Sequence, residues 1–263
     1  MQPDYAILDR PAVLSRLFHP RREDRAAAAT AGTADLLIPV ADGVTLGARF
    51  HAAAAAAPNI LFFHGNGEIV ADYDDIAPYY QRLGIGFLPV DYRGYGRSSG
   101  SPTVAAMMRD AHRVLDFVID AFAREGRTGP LLVMGRSLGS APAIELAAAR
   151  PDRLAGVIIE SGFAFARPLL EILGADPQAI GFTEERTFDH IAKMRAYTGP
   201  LLVIHAEFDH LIPFADGQAL HDASPSRHKT LLRIPGADHN DIMWRAPQDY
   251  FSAIRRLAGA VAT

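Results

Sequence analysis

The sequence predicts an α/β fold built on a mostly parallel, eight-stranded sheet that opens with an antiparallel hairpin and carries helices on both faces. From Asn59 onward, short apolar runs without polar alternation take turns with longer segments of helical periodicity. That is the pattern of strands covered on both sides and joined by helical crossovers. Upstream, Ala41-Asp42-Gly43 separates two runs of strand character, a turn signal for a hairpin. The 263 residues, 49% of them hydrophobic, suffice for one large core, so residues 1–263 are expected to form a single domain.

The elements follow in order. Residues 1–34 read as an irregular or helical arm ending in the alanine-rich run Arg25–Ala31. Strands at Leu36–Val40 and Val44–His51 form the hairpin, and Ala52–Ala57, of low complexity, reads as a surface connection. Six more strands are expected at Ile60–Phe63, Gly86–Asp91, Leu131–Met134, Val157–Glu160, Leu201–His205 and Thr230–Ile234. Helices are expected at Asp74–Leu83, Val104–Arg124, Leu138–Ala149, Phe214–Ala223 and Pro247–Ala258. In the longest of these, Met107, Val114, Leu115, Val118 and Phe122 share one stripe that should face the sheet. Right-handed crossovers then make the later strands parallel.

Between the sixth and seventh strands the alternation breaks, and about residues 162–200 are expected to form a short cap over the carboxyl ends of the strands. Pro168 and Pro177 limit its helices. Its apolar residues, Leu169, Leu170 and Phe182 among them, either line an acyl pocket or pack down on the sheet.

Composition narrows the partners. A formal net charge of -4 and a pI near 6.2 leave no broad basic field, which argues against nucleic acid. The one basic cluster, residues 19–25, is interrupted by Glu23 and Asp24 and reads as a solvated face. The absence of cysteine excludes disulfides, thiol catalysis and cysteine-ligated metals. Met1–Ala12 carries Asp4, Asp9, Arg10 and two prolines without a continuous apolar segment, so no secretory signal is expected and the cytoplasm is the default location. No apolar stretch approaches the eighteen or so residues that would span a bilayer. Nothing in the pattern fixes an oligomeric state.

The chemistry concentrates at Gly135-Arg136-Ser137-Leu138-Gly139, directly behind the apolar run Pro130–Met134. A buried strand running through Gly-x-Ser-x-Gly into a helix describes a sharp turn that lifts a serine hydroxyl above the sheet edge, with small residues where backbones crowd. A serine nucleophile needs a base, and the base needs an acid to fix its tautomer. Downstream, the Leu201–His205 strand leads into a loop with Asp209, and the last strand leads into Pro235-Gly236-Ala237-Asp238-His239. Ser137, Asp209 and His239 therefore lie in that order, each just past a strand's carboxyl end, where open α/β sheets bind ligands. Rival histidines are His205, His210, His221 and His228; Glu160, at the end of the preceding strand, is the alternative acid, with Glu207, Asp238 and Asp241 close by in sequence.

With His64-Gly65-Asn66-Gly67 after one strand and Asp91-Tyr92-Arg93-Gly94-Tyr95-Gly96-Arg97-Ser98-Ser99-Gly100 after the next, these stations span most of the chain. Together they resemble the α/β-hydrolases, and within them the small-capped Bem46-like and ABHD17-like serine hydrolases. The resemblance implies a Ser137, His239, Asp209 triad and an oxyanion hole made by the main-chain amides of Leu138 and Asn66, with Gly65 as the other choice for the second donor. It implies no cofactor and no metal; no helical His-x-x-x-His pair is present, and Asp91–Gly100 lacks the phosphate-binding Gly-x-x-x-x-Gly-Lys pattern and reads as a structural turn. The expected reaction is cleavage of a small-molecule carboxylic ester or thioester through an acyl-enzyme. An acyltransferase, a peptidase and a non-catalytic binding protein on the same fold are the alternatives.

Overall fold

The computed structural model describes residues 3–23 and 32–262. The alanine-rich end of the arm, Arg25–Ala31, lies outside the described residues. Eight strands form one sheet: β1 (Thr33–Ala41), β2 (Val44–His51), β3 (Asn59–Phe63), β4 (Gly86–Val90), β5 (Leu131–Arg136), β6 (Gly156–Glu160), β7 (Leu201–Ala206) and β8 (Lys229–Ile234). Their spatial order is β1-β2-β4-β3-β5-β6-β7-β8. β1 and β2 pair antiparallel, β2 pairs antiparallel with β4, and the rest of the sheet is parallel.

The expected mostly parallel architecture with its N-terminal hairpin is therefore what the chain forms. Because β3 lies between β4 and β5, the chain leaves β3 toward one side and later resumes on the other. The loops after β3 and β5 diverge there and open the crevice that such a switch point creates.

Side-chain alternation along the strands explains the layers. Leu61, Phe63, Val133, Val157 and Val203 belong to one core, while Ile60, Phe62, Met134, Ile158 and Ile204 belong to the other. The helices are α1 (Pro11–Leu17), α2 (Ala77–Arg82), α3 (Val104–Arg124), α4 (Ser140–Ala149), α5 (Ala166–Ile172), α6 (His190–Ala196), α7 (Phe214–Ala223), α8 (Ile242–Arg245) and α9 (Pro247–Ala260). On the first face, α3 buries Met107, Val114, Leu115, Val118 and Phe122. Each fully buried side chain of this size contributes about 1.5–3 kcal/mol. On the second face Tyr80 of α2 stacks on Phe87, and α9 adds Tyr250, Phe251 and Ile254.

The excursion after β6 splits in two. Pro168 stands in the first turn of α5, where its missing N–H has no helical acceptor to lose. α6 packs on α4 and α7 and completes the helical layer. The N-terminal arm is built into the body: Leu8, Val13 and Phe18 are buried, and Arg10 donates to the carbonyl of Ile180. Among the described residues, no helix is long and apolar enough to cross a membrane.

Candidate active site

β5 delivers its last residue at register with Glu160 of β6, and the chain then turns sharply. Ser137 is held at φ 52°, a left-handed conformation costly for a residue with a Cβ. The flanking glycines make the turn possible. A Cβ on Gly135 would stand 2.1 Å from the carbonyl oxygen of Gly139, and one on Gly139 would stand 2.0 Å from that of Phe63. Ser140 Oγ caps the turn by donating to the Ser137 carbonyl at 2.6 Å.

The loops after β7 and β8 bring Asp209 and His239 to this hydroxyl. Ser137 Oγ lies 3.0 Å from His239 Nε2, and His239 Nδ1 lies 2.8 Å from Asp209 Oδ2. A carboxylate only accepts, so Nδ1 carries the imidazole proton and Nε2 of the neutral ring faces the serine as an acceptor. Asp209 Oδ1 takes the amides of Leu211 at 3.0 Å and Ile212 at 2.8 Å. Burial works against the charge on Asp209, but the bonds from His239 and the Ile212 amide outweigh it and hold its pKa below the ordinary value.

The rival residues stand elsewhere. Glu160 is buried and accepts from Tyr250 at 2.6 Å; burial pushes its pKa up, with Arg136 and Tyr250 countering in part. Asp238 and Asp241 accept amides of their own loop, and Glu207 takes the amide of Gly236. His210 and His228 are exposed, and His221 sits beside Asp222. His205 is buried behind Asp209, its Nε2 donating to the Ile212 carbonyl at 2.8 Å and lying 3.6 Å from Asp209 Oδ2. His64 is buried, its Nδ1 donating to the Gly65 carbonyl at 2.7 Å, and Tyr73 donates to Glu68.

At the loop after β3, the Gly65 amide is already taken by Glu68 Oε2 at 2.7 Å. The Asn66 amide has no internal acceptor among the described residues. The Asn66 side chain faces the arm instead: Nδ2 donates to the Leu17 carbonyl at 2.6 Å and Oδ1 accepts the His19 amide at 3.1 Å.

A cavity of about 170 Å³ opens at Ser137, walled by the arm through Leu8 and Leu17 and by α5 through Ala166 and Leu170. Sequence reasoning expected a cap over residues 162–200, of which α5 lines this cavity, but not the arm, nor Glu68 and Arg136, which tie the loops together. Arg136 figured only as the variable residue of the Gly-x-Ser-x-Gly motif and Glu68 not at all; the one available signal was a charged side chain following a fully apolar strand. Among the described residues, no group of three or more His, Asp or Glu side chains is placed to hold a metal ion.

This fold and this crevice define the chain as an α/β-hydrolase-fold protein. The family described as "Serine aminopeptidase, S33" matches residues 54–180. The chain is 28% identical over 189 residues to protein bem46 of Schizosaccharomyces pombe, covering 70% of this chain and 62% of that one. It is 30% identical over 195 residues to alpha/beta hydrolase domain-containing protein 17C of Mus musculus, covering 70% and 54%. It thus spans less than two thirds of the length of either relative. The structure of the Pyrococcus furiosus esterase Pf2001 superposes with a TM-score of 0.71 at 15% identity, over 92% of this chain and 100% of that one. The protein thus has the α/β-hydrolase fold and is similar to Bem46 and to the ABHD17 proteins.

Proposed function

We propose that the protein is a serine hydrolase that cleaves carboxylic esters or thioesters of apolar acyl groups. The observation that carries this reading is the unbroken chain from Asp209 Oδ2 through both nitrogens of His239 to Ser137 Oγ. His239 removes the serine proton as Oγ attacks the acyl carbonyl. The amides of Leu138 and Asn66 receive the negative charge on the carbonyl oxygen. The C–O or C–S bond then breaks, and the leaving alcohol or thiol takes the proton from His239. Water, deprotonated by the same imidazole, attacks the acyl-enzyme and releases the acid, restoring Ser137.

The cavity at Ser137 supports an acyl rather than an amino-terminal substrate. Its lining is apolar except for Asn66 and Ser137, and it holds no carboxylate among the described residues to receive an α-ammonium group. The test is covalent labelling by a fluorophosphonate, followed by assay against p-nitrophenyl esters, acyl thioesters and aminoacyl anilides. Labelling lost in Ser137→Ala, with ester or thioester turnover and no anilide turnover, is the expected result. Absence of labelling at high probe concentration overturns the reading. Transfer of the acyl group to added alcohol in preference to water identifies an acyltransferase instead.

A further inference from the structure

The residue before the serine does more than the turn demands of it. Arg136 Nη2 donates to the main-chain oxygen of His239 at 2.9 Å and reaches Asn240 Oδ1 at 3.3 Å. Nη1 pairs with Glu68, and Nε lies 3.2 Å from Glu160 Oε1. Glu68 in turn accepts the Gly65 amide and the Tyr73 hydroxyl. One side chain, 13% exposed, therefore ties the loop after β3 and the loop after β8 to the turn that carries Ser137.

We infer that Arg136 is a positioning residue, one that sets His239 and the Asn66 amide relative to Ser137 through the His239 carbonyl and Glu68. The inference rests on the acyl-enzyme reading above. Three loops leave three different strands, so sheet pairing alone does not fix their tips relative to one another. A guanidinium presents five donors in a rigid plane and can hold several acceptors at set angles, which an ammonium cannot. Burial works against the charge of Arg136, but Glu68 and Glu160 outweigh it and keep the group ionised. The bond to the His239 carbonyl ties the guanidinium directly to the backbone of the residue whose imidazole faces Ser137. The reacting geometry is demanding, since a displacement of about 1 Å can cost about 10²-fold in rate.

A cavity of about 160 Å³ lies alongside, lined by Glu68, Tyr73, Arg136, Glu160 and Asn240, so a free guanidinium ion has a way in. The experiment compares the native protein with Arg136→Ala and Arg136→Lys, using p-nitrophenyl acetate kinetics with and without guanidinium chloride at constant ionic strength. Thermal melting and the low-field proton resonance of His239 Nδ1–H are read in the same samples.

Arg136→Ala is expected to lose about 10- to 100-fold in kcat with little change in KM. Its His239 resonance should shift or broaden. Millimolar guanidinium should restore part of the rate and the resonance, and sodium chloride should not. Arg136→Lys, which keeps the charge and so the fold, is expected to lose at least half of that factor.

Native kcat in either variant overturns the inference. So does a fall in kcat with an unmoved resonance, or the absence of guanidinium recovery in a variant that melts as the native protein does. If the native protein turns over no ester, the acyl-enzyme reading fails by itself, and the resonance still decides whether Arg136 sets the imidazole.

Discussion

Asp209 divides its two oxygens between different tasks: Oδ2 holds His239 Nδ1 at 2.8 Å, while Oδ1 is fixed by the amides of Leu211 and Ile212. The loop thus orients the carboxylate before the carboxylate orients the imidazole. An amide side chain at this position presents an N–H toward either the two main-chain amides or the imidazole, and the wrong tautomer follows. Asp209→Asn should lower kcat about 10⁴-fold at unchanged fold. Glu160→Gln, which leaves the bond to His239 in place, should cost less than about 10-fold. Steady-state p-nitrophenyl acetate kinetics decide it, and the reverse ranking would move the acid to Glu160.

The two functions of Asn66 are separable. Its side chain tethers Leu17 and His19, whereas the proposed oxyanion donor is its main-chain N–H. Asn66→Ala should loosen the arm and change the rate modestly. Replacing the Asn66 peptide bond by an ester, which deletes the N–H, should cost about 3 kcal/mol of transition-state stabilisation. Equal losses in the two proteins would assign the effect to the side chain.

At the turn, crowding sets the next expectation. Gly135→Ala puts a Cβ against the Gly139 carbonyl oxygen, which is main chain and unable to rotate away. The loss of stability should be about 3 kcal/mol or more, read as a lowered urea midpoint at unchanged slope. Gly43→Ala, with nothing near its Cβ but φ at 68°, should cost only about 1–2 kcal/mol from backbone strain. A smaller loss at Gly135 than at Gly43 would refute the crowding argument.

These outcomes bear on what the residues disclose before folding. The six strands from β3 onward show as apolar runs and the hairpin as two strand-like runs around Ala41-Asp42-Gly43, so all eight were legible. Strand ends were less so: β5 continues through Gly135 and Arg136 because its partner β6 supplies hydrogen bonds there regardless of residue type. α5 and α6 were hidden, since seven residues with a proline in the first turn of one give little periodicity. α1 was open between helix and irregular chain because only tertiary burial of Val13 and the neighbouring Leu8 and Phe18 fixes the arm. The convergence of Ser137, Asp209 and His239 followed from their places at strand ends. Glu68 and Arg136 did not stand out, because a salt bridge between residues 68 positions apart leaves no local pattern.

His190 gives a pH dependence with a definite sign. It is fully buried, its Nδ1 donates to the Phe163 carbonyl at 2.8 Å, and it lies against the rings of Phe163 and Phe188. Burial first, then the Lys193 charge, pushes its pKa from 6.5 down to about 3. The unfolded chain therefore takes up a proton near pH 6.5 that the native protein refuses. Stability is fully present above that pH and falls as the pH drops toward 3, by up to about 1.4 kcal/mol per unit. In urea unfolding from pH 8 to 4, His190→Phe should lose about 1 kcal/mol at pH 8 with its hydrogen bond. It should also show a shallower decline in acid. Identical acid slopes in the two proteins would remove His190 as the cause.

The cavity beside Ser137 leads to a prediction about chain length. Each methylene moved from water into an apolar site is worth about 0.8 kcal/mol, or about four-fold in kcat/KM where the transition state keeps the contact. Across p-nitrophenyl acetate, butyrate, hexanoate, octanoate and palmitate, kcat/KM should climb at about that rate until the roughly 170 Å³ between the arm and α5 is filled, and then fall. Ala166 is buried and lines that wall, so Ala166→Leu takes up room without adding charge. Its optimum should move to a shorter ester, while acetate, which barely enters the cavity, should keep its native rate. A flat series, or an optimum unmoved by Ala166→Leu, would place the acyl chain somewhere other than beneath α5.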